Sequence, residues 1–293
     1  MMKNLSQERV GEITILSSSV LWSLFPILTV LSFVGLGSIT ALAWTTAISL
    51  VFFFVLAVVR RSWVNVFKKE LLIPLLSIAA INGVIFYALF FLGLEHTSPG
   101  NAAIIGTMEI LFTFLFFNVW KKEGISRNNM MGVVLMFASA IIIFLPNFYG
   151  FQIGDLLILL AVFIVPLGNH LQKKVRSVLK SEQILLCRTI IATPFLFLLA
   201  HMLGETIVFP TGSTWIVILI NGIILFGITK IMWVESIFRI GVTKSISLSS
   251  MSPIFTIILA FFILGDDPTL IQLVAVPFAI AGVLLLTKVK KRS

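Results

Sequence analysis

Two residues of opposite charge lie deep inside apolar runs. Glu109 sits midway along 100–120, and Lys230 a few residues past the centre of 215–238. An acid at the centre of a bilayer costs roughly 2.5–3.5 kcal/mol on insertion scales, so it needs a cavity, a partner or a proton there. A carboxyl in that setting can hold a cationic group or carry a proton, and an ammonium can hold a carboxylate. Converging on one cavity, the two would suit the ammonium and carboxylate of an amino acid-like solute. Two readings stand for Lys230: a counter-charge to Glu109 from another span, or a side chain that snorkels to the headgroups. Glu235 follows Lys230 by five residues, about 140° round a helix, so the two do not share a face. Glu235 is expected to pair with Arg239 at i+4 or with another charge near the span's end. Arg188, a turn and a half inside 183–203, reads most simply as a snorkelling anchor, with a part in a gate as the second reading.

Polar and hinge-forming residues add to this set. Asn82, beside Gly83 and near Tyr87, is the leading cavity-lining amide; Asn169 and Asn221 also need partners at their depth, or serve as packing contacts. Trp22, Tyr87 and Trp233 either line a cavity or pack. Ser245, Ser247, Ser249, Ser250 and Ser252 precede Pro253. Proline frees a carbonyl that nearby hydroxyls can satisfy, so Ser249 and Ser252 are expected on a polar wall and Pro253 at a hinge. Pro26 and Pro166 fall midway along the first and sixth runs and are expected to mark equivalent bends. Metal and cofactor chemistry has no support: one cysteine, three scattered histidines (His96, His170, His201) and no G-x-x-x-x-G-K-[ST] loop.

The elements that must position these residues follow from composition. Of 293 residues, 59% are hydrophobic and 11% charged, against ~25% charged in a soluble domain. So few charges cannot tile a water-facing surface. Ten runs approach the ~20 apolar residues that a spanning helix needs: 13–34, 38–59, 71–94, 100–120, 130–146, 155–172, 183–203, 215–238, 245–264 and 269–287. With the N-terminus in the cytoplasm, every Lys and Arg outside a span falls on one side: Lys3, Arg9, Arg60, Arg61, Lys68, Lys69, Lys121, Lys122, Arg127, Lys173, Lys174, Arg176, Lys180, Arg239, Lys244, Lys288, Lys290, Lys291 and Arg292. Glu95, Asp155, Glu205, Asp266 and Asp267 take the other. That is the positive-inside pattern. The net charge of +9 is therefore a topology signal and an attraction to anionic cytoplasmic-face lipid, and no nucleic-acid partner is expected.

The expected fold is an all-α integral membrane protein of ten transmembrane helices in two inverted five-helix repeats, 1–148 and 149–293. Shifting 98–142 by 143 residues lays Met108 on Met251, Phe112 on Phe255, Thr113 on Thr256, Val133 on Val276 and Ala138 on Ala281. An odd number of spans per half inverts one half against the other, as in many secondary transporters.

Segment 88–120, ALFFLGLEHTSPGNAAIIGTMEILFTFLFFNVW, resembles the third-to-fourth helix signature of the EamA-type family of the drug/metabolite transporter superfamily. Segment 232–285 is similar to the matching part of the second repeat, with its acidic loop and closing AGVLL, as are Gly154–Asp155 and Asn169–His170–Leu171–Gln172. There are two departures: Ile110 stands where the family has a proline, which Pro253 keeps in the second repeat, and the second acidic loop reads Asp266–Asp267. The resemblance implies an inner-membrane transporter with a central cavity, often an exporter of amino acids, metabolites or drugs. Two other classes fit these residues less well. A membrane enzyme wants clustered acids, whereas Asp266–Asp267 lies in a tight turn without a third acid; a scaffold or sensor has no need of Glu109 and Lys230 in the membrane.

Overall fold

The computed structural model describes residues 6–62, 69–116, 127–144 and 152–287. Among them the chain forms ten helical rods: α1 Gln7–Leu31, α2 Ser38–Val59, α3 Lys69–Leu94, α4 99–114, α5 Arg127–Phe144, α6 Ile153–Arg176, α7 Ser181–Met202, α8 Gly212–Ile240, α9 Val242–Leu264 and α10 Leu270–Thr287. Seven are long and apolar enough to cross a membrane by length and composition; α5 and α10 carry shorter apolar stretches and α4 is divided. Each hydropathy run coincides with one rod. The first begins earlier than its run because the Ser6 hydroxyl accepts from the Arg9 amide at 3.3 Å and draws the polar turn after it into the helix. Outside the described residues lie 117–120 and 145–146 of the expected spans, the repeat boundary at 148–149, and Lys3, Lys68, Lys121, Lys122, Lys288, Lys290, Lys291 and Arg292.

The packing repeats itself across the two halves. α1 lies along α8 and α3 along α6; α4 packs on α6 and α9 on α1; α2 runs beside α7, and α5 beside α10. Exchanging α1–α5 for α6–α10 maps this set of pairings onto itself, as a two-fold relation between inverted halves requires.

Three rods are broken. α1 divides at Ser23–Leu24 ahead of Pro26, α4 at Thr107, and α9 at Ser250–Met251 ahead of Pro253. Each break carries hydroxyls that turn back on the preceding turn: Ser23 Oγ donates to Val20 O (2.6 Å), Thr107 Oγ1 to Ile104 O (2.7 Å) and Ser250 Oγ to Ser247 O (2.7 Å). Such bonds satisfy carbonyls that the broken ladder leaves open. At Pro166 the helix is not divided: α6 stays helical from Ile153 to Arg176. The stretch before it, Ile158–Val165, holds no serine or threonine to take over a freed carbonyl.

Two π-helical segments interrupt α3 and α8, at Ala79–Ile85 and Asn221–Ile228. Both fall on one pentad, Ile-Asn-Gly-x-Ile, at 81–85 and 220–224. A π turn shifts side-chain register along a helix and recurs at functional sites.

Candidate functional site

A cavity of about 150 Å³ lies where α1, α3, α4, α6, α7, α8, α9 and α10 converge between the halves. Glu109 of α4 and Lys230 of α8 both line it, as do Asn82 and Tyr87 of α3 and Trp22 and Pro26 of α1. Ser249, Ser252 and Pro253 of α9 form another wall, where the Ser249 hydroxyl donates to Ile246 O at 3.0 Å. Pro166 and Glu235 are not among its lining residues.

Glu109 is held by an amide relay. Its Oε1 accepts from Asn169 Nδ2 at 2.7 Å, and Asn169 Oδ1 accepts from Asn82 Nδ2 at 3.0 Å and from the Trp233 indole at 3.3 Å. Asn169 thus joins α3, α4, α6 and α8. The relay depends on close packing of α3 on α6: a Cβ on Gly168 would overlap the Asn82 amide. The Asn82 oxygen is buried with no hydrogen-bond partner among the described residues, and the same holds for both amide atoms of Asn221.

Lys230 faces aromatic rings. Its ammonium stands 3.3 Å from the Trp22 centroid and 5.5 Å from that of Tyr87, a geometry that stabilises a cation by about 0.5–2 kcal/mol. Trp22 is itself stacked on Phe25 at 4.1 Å. Phe25 is fully buried and meets Phe90, Phe226 and Phe91 at 5.0, 5.8 and 6.1 Å. Glu109 and Lys230 share the cavity but form no ion pair within 4.0 Å.

Arg188 departs from the snorkelling reading. It is 3% exposed, lines the cavity, and stands with Cζ 5.9 Å from the Tyr87 centroid. Gly83 gives the reason: a Cβ there would press within 3.1 Å of Arg188 Cγ, so the missing side chain leaves a passage between α3 and α7 that turns Arg188 inward.

Glu235 sits in a separate cluster. Its carboxylate pairs with Arg176 at 2.7 Å and, as expected, with Arg239 at 3.1 Å, and accepts from the Ser181 hydroxyl at 2.6 Å, tying α6, α7 and α8 at one end. Nearby, Lys244 of α9 pairs with Glu8 and Glu12 of α1. On the opposite expected face Glu205 caps α2, accepting from the Ile39 and Thr40 amides at 3.1 and 2.7 Å.

Three cavity residues carry more than their sequence positions suggested. Asn169 is the hub of the relay rather than one packing contact among several, Trp233 donates to it, and Gln172 lines the cavity one turn along α6. The signal was the i, i+3 pairing of Asn169 and Gln172, which puts two amides on one face of an otherwise apolar helix. Among the described residues no group of His, Cys, Asp and Glu is placed to hold a metal ion.

The chain matches the description of the EamA-like transporter family twice, over residues 9–145 and 152–288. It is similar to an uncharacterized transporter of Archaeoglobus fulgidus, 27% identical over 220 residues that cover 72% of this chain and 75% of that one. It is also similar to an uncharacterized transporter of Synechocystis sp., 25% identical over 226 residues, 72% of this chain and 63% of the longer relative. A solved crystal structure, 18% identical, superposes with a TM-score of 0.72 over 98% of this chain and 100% of its own, which shows a common fold.

Proposed function

The chain belongs to the EamA-like transporter family, and from that premise we propose that it is a secondary transporter of small polar or zwitterionic solutes, amino acid-like in charge pattern. It works by alternating access, with the two five-helix halves, 1–148 and 149–293, rocking about the cavity between them. The observation that supports this is the cavity itself. It holds a carboxyl on an amide relay and a lysine on an aromatic face, with Arg188, Gln172, hydroxyl and apolar groups lining the rest. At about 150 Å³ it is smaller than the ~300–1,000 Å³ of pockets that bury drug-sized ligands, so a metabolite-sized solute fits the reading better than a drug.

In this reading Glu109 exchanges the solute's cationic group for a proton, since a bare carboxylate cannot cross the bilayer centre without compensation. Asn169 aims the carboxyl while Trp22 keeps the Lys230 ammonium on the cavity side. The broken helices α1, α4 and α9 supply the hinges at Pro26, Thr107 and Pro253, and the Glu235 cluster closes the cytoplasmic end. The chain is a multi-pass membrane protein; its distribution of Lys and Arg supports an inner (plasma) membrane setting with both termini cytoplasmic, facing anionic lipid, and the family resemblance favours export as the direction of work.

Reconstitution tests it. Proteoliposomes are screened for uptake of amino acids and organic cations, with and without a pH gradient, for the native chain and Glu109→Gln. A pH gradient should accelerate uptake only in the native protein. Flux that keeps its pH dependence in Glu109→Gln removes Glu109 from the coupling step.

A further inference from the structure

The charges around the cavity do not balance. Apart from Tyr87, its ionisable lining residues among those described are Glu109, Lys230 and Arg188. Glu109 and Lys230 sum to zero whether both are ionised or a proton has passed from one to the other. Arg188 is then left over. A guanidinium remains charged under all physiological conditions, and this one is 3% exposed, in the membrane interior, with no carboxylate within 4.0 Å among the described residues. Tyr87 is its nearest polar contact, through a hydrogen bond to the phenol oxygen, and the same ring borders Lys230: Arg188 Cζ stands 5.9 Å and Lys230 Nζ 5.5 Å from its centroid. The Arg188 guanidinium and the Lys230 side chain therefore flank one ring at a wall of the cavity.

An uncompensated buried cation is costly, and proteins pair such groups. The side chain is not stranded by accident of packing, because Gly83 in the π segment of α3 opens the passage through which it enters. Its planar fork matches a carboxylate in a way that an ammonium does not. We propose that Arg188 is the carboxylate-binding residue of the cavity, and that the transported solute brings one more carboxylate than it has ammonium groups. The anionic group docks between Arg188 and Lys230 across the edge of Tyr87; any ammonium the solute carries goes to Glu109. Arg188 is thus a solute ligand rather than a gate or a lipid anchor. This deepens the transporter reading and rests on it.

The test uses the full-length chain and three isosteric carboxylate–amide pairs: aspartate with asparagine, glutamate with glutamine, and 4-methylvalerate with its amide. Binding is read in detergent as ligand-induced thermal stabilisation, and flux in phosphatidylcholine proteoliposomes, for the native chain, Arg188→Gln and Arg188→Lys. In every pair that binds, the member with the extra carboxylate should bind at least tenfold tighter to the native chain. Arg188→Gln should erase that ratio, and Arg188→Lys should keep part of it. Preference for the amide, equal binding, or binding of none of the six overturns the proposal, as does a tenfold ratio that survives Arg188→Gln. If Arg188→Gln does not fold, the native ratio and its reduction in Arg188→Lys decide. The two readings fail separately: an Arg188-dependent ratio without flux supports the site and removes transport of these solutes, whereas flux of the amides indifferent to Arg188 leaves a transporter and removes the carboxylate site.

Discussion

Replacing Asn169 by alanine should be far more damaging than replacing a lone polar residue in a membrane helix. The side chain donates to the Glu109 carboxylate at 2.7 Å and accepts from Asn82 at 3.0 Å and Trp233 at 3.3 Å. A hydrogen bond to a charged group contributes about 1.5–3 kcal/mol, and neutral interhelical bonds in membranes average only ~0.6 kcal/mol each. The sum is about 3–4 kcal/mol if Glu109 is ionised in the resting protein. With each kcal/mol moving the melting temperature of a larger domain by roughly 2–4 °C, the variant should melt about 6–16 °C lower in detergent, followed by fluorescence-detected size exclusion. The sharper test is the same substitution in the Glu109→Gln background. There the acceptor is a neutral amide oxygen, so the bond lost contributes only about 0.5–1.5 kcal/mol, and Asn169→Ala should cost roughly 1–1.5 kcal/mol less than in the native chain. Equal costs in the two backgrounds, within the ~0.5 kcal/mol expected of independent sites, would refute the relay as the support of a charged Glu109.

Gly168→Ala should abolish uptake while leaving a folded, monodisperse protein, because the new methyl group takes the space of the Asn82 amide; flux at the native rate would mean that α3 and α6 part without disturbing the relay. Trp22→Phe should retain most of the native stability and Trp22→Leu should lose about 0.5–2 kcal/mol, since only the first keeps a ring beneath the Lys230 ammonium at 3.3 Å; equal melting of the two would show that the contact contributes nothing. Glu235→Ala should lower the melting temperature by several degrees, since it strands Arg176 and Arg239 where both are only about a quarter exposed or less, whereas Lys244→Ala, at a pair open to water, should change it little.

Ten helices were legible because bilayer thickness fixes their length, and length is a property of the sequence alone. The charges were legible for a related reason: an acid or a base inside an apolar run stands out whatever it touches. What they touch was not. Lys230 and Glu109 are natural partners by sign, yet Lys230 lies on Trp22 and Glu109 on Asn169. The inward course of Arg188 depends on one neighbour in space, Gly83, which is over a hundred residues away in the chain. α6 runs through Pro166 undivided, whereas the breaks in α1, α4 and α9 each carry a hydroxyl bonded to a carbonyl of the preceding turn.

Comparing the halves separates what is duplicated from what is not. The backbone devices come in pairs: the π segments both fall on Ile-Asn-Gly-x-Ile, and the 143-residue shift that lays Met108 on Met251 also lays the Thr107 break of α4 on the Ser250 break of α9. The charged side chains do not. At that shift Glu109 corresponds to Ser252, and aligning the two pentads puts Lys230 opposite Phe91. A two-fold frame with charges on both copies would place like charges across its own axis, at a repulsion that a low-dielectric interior screens poorly. Dividing the roles, with the acid on one half and the lysine on the other, leaves a site that is itself asymmetric inside a frame whose helix breaks are paired. Hinge variants should therefore act alike in the two halves, and charge variants should not.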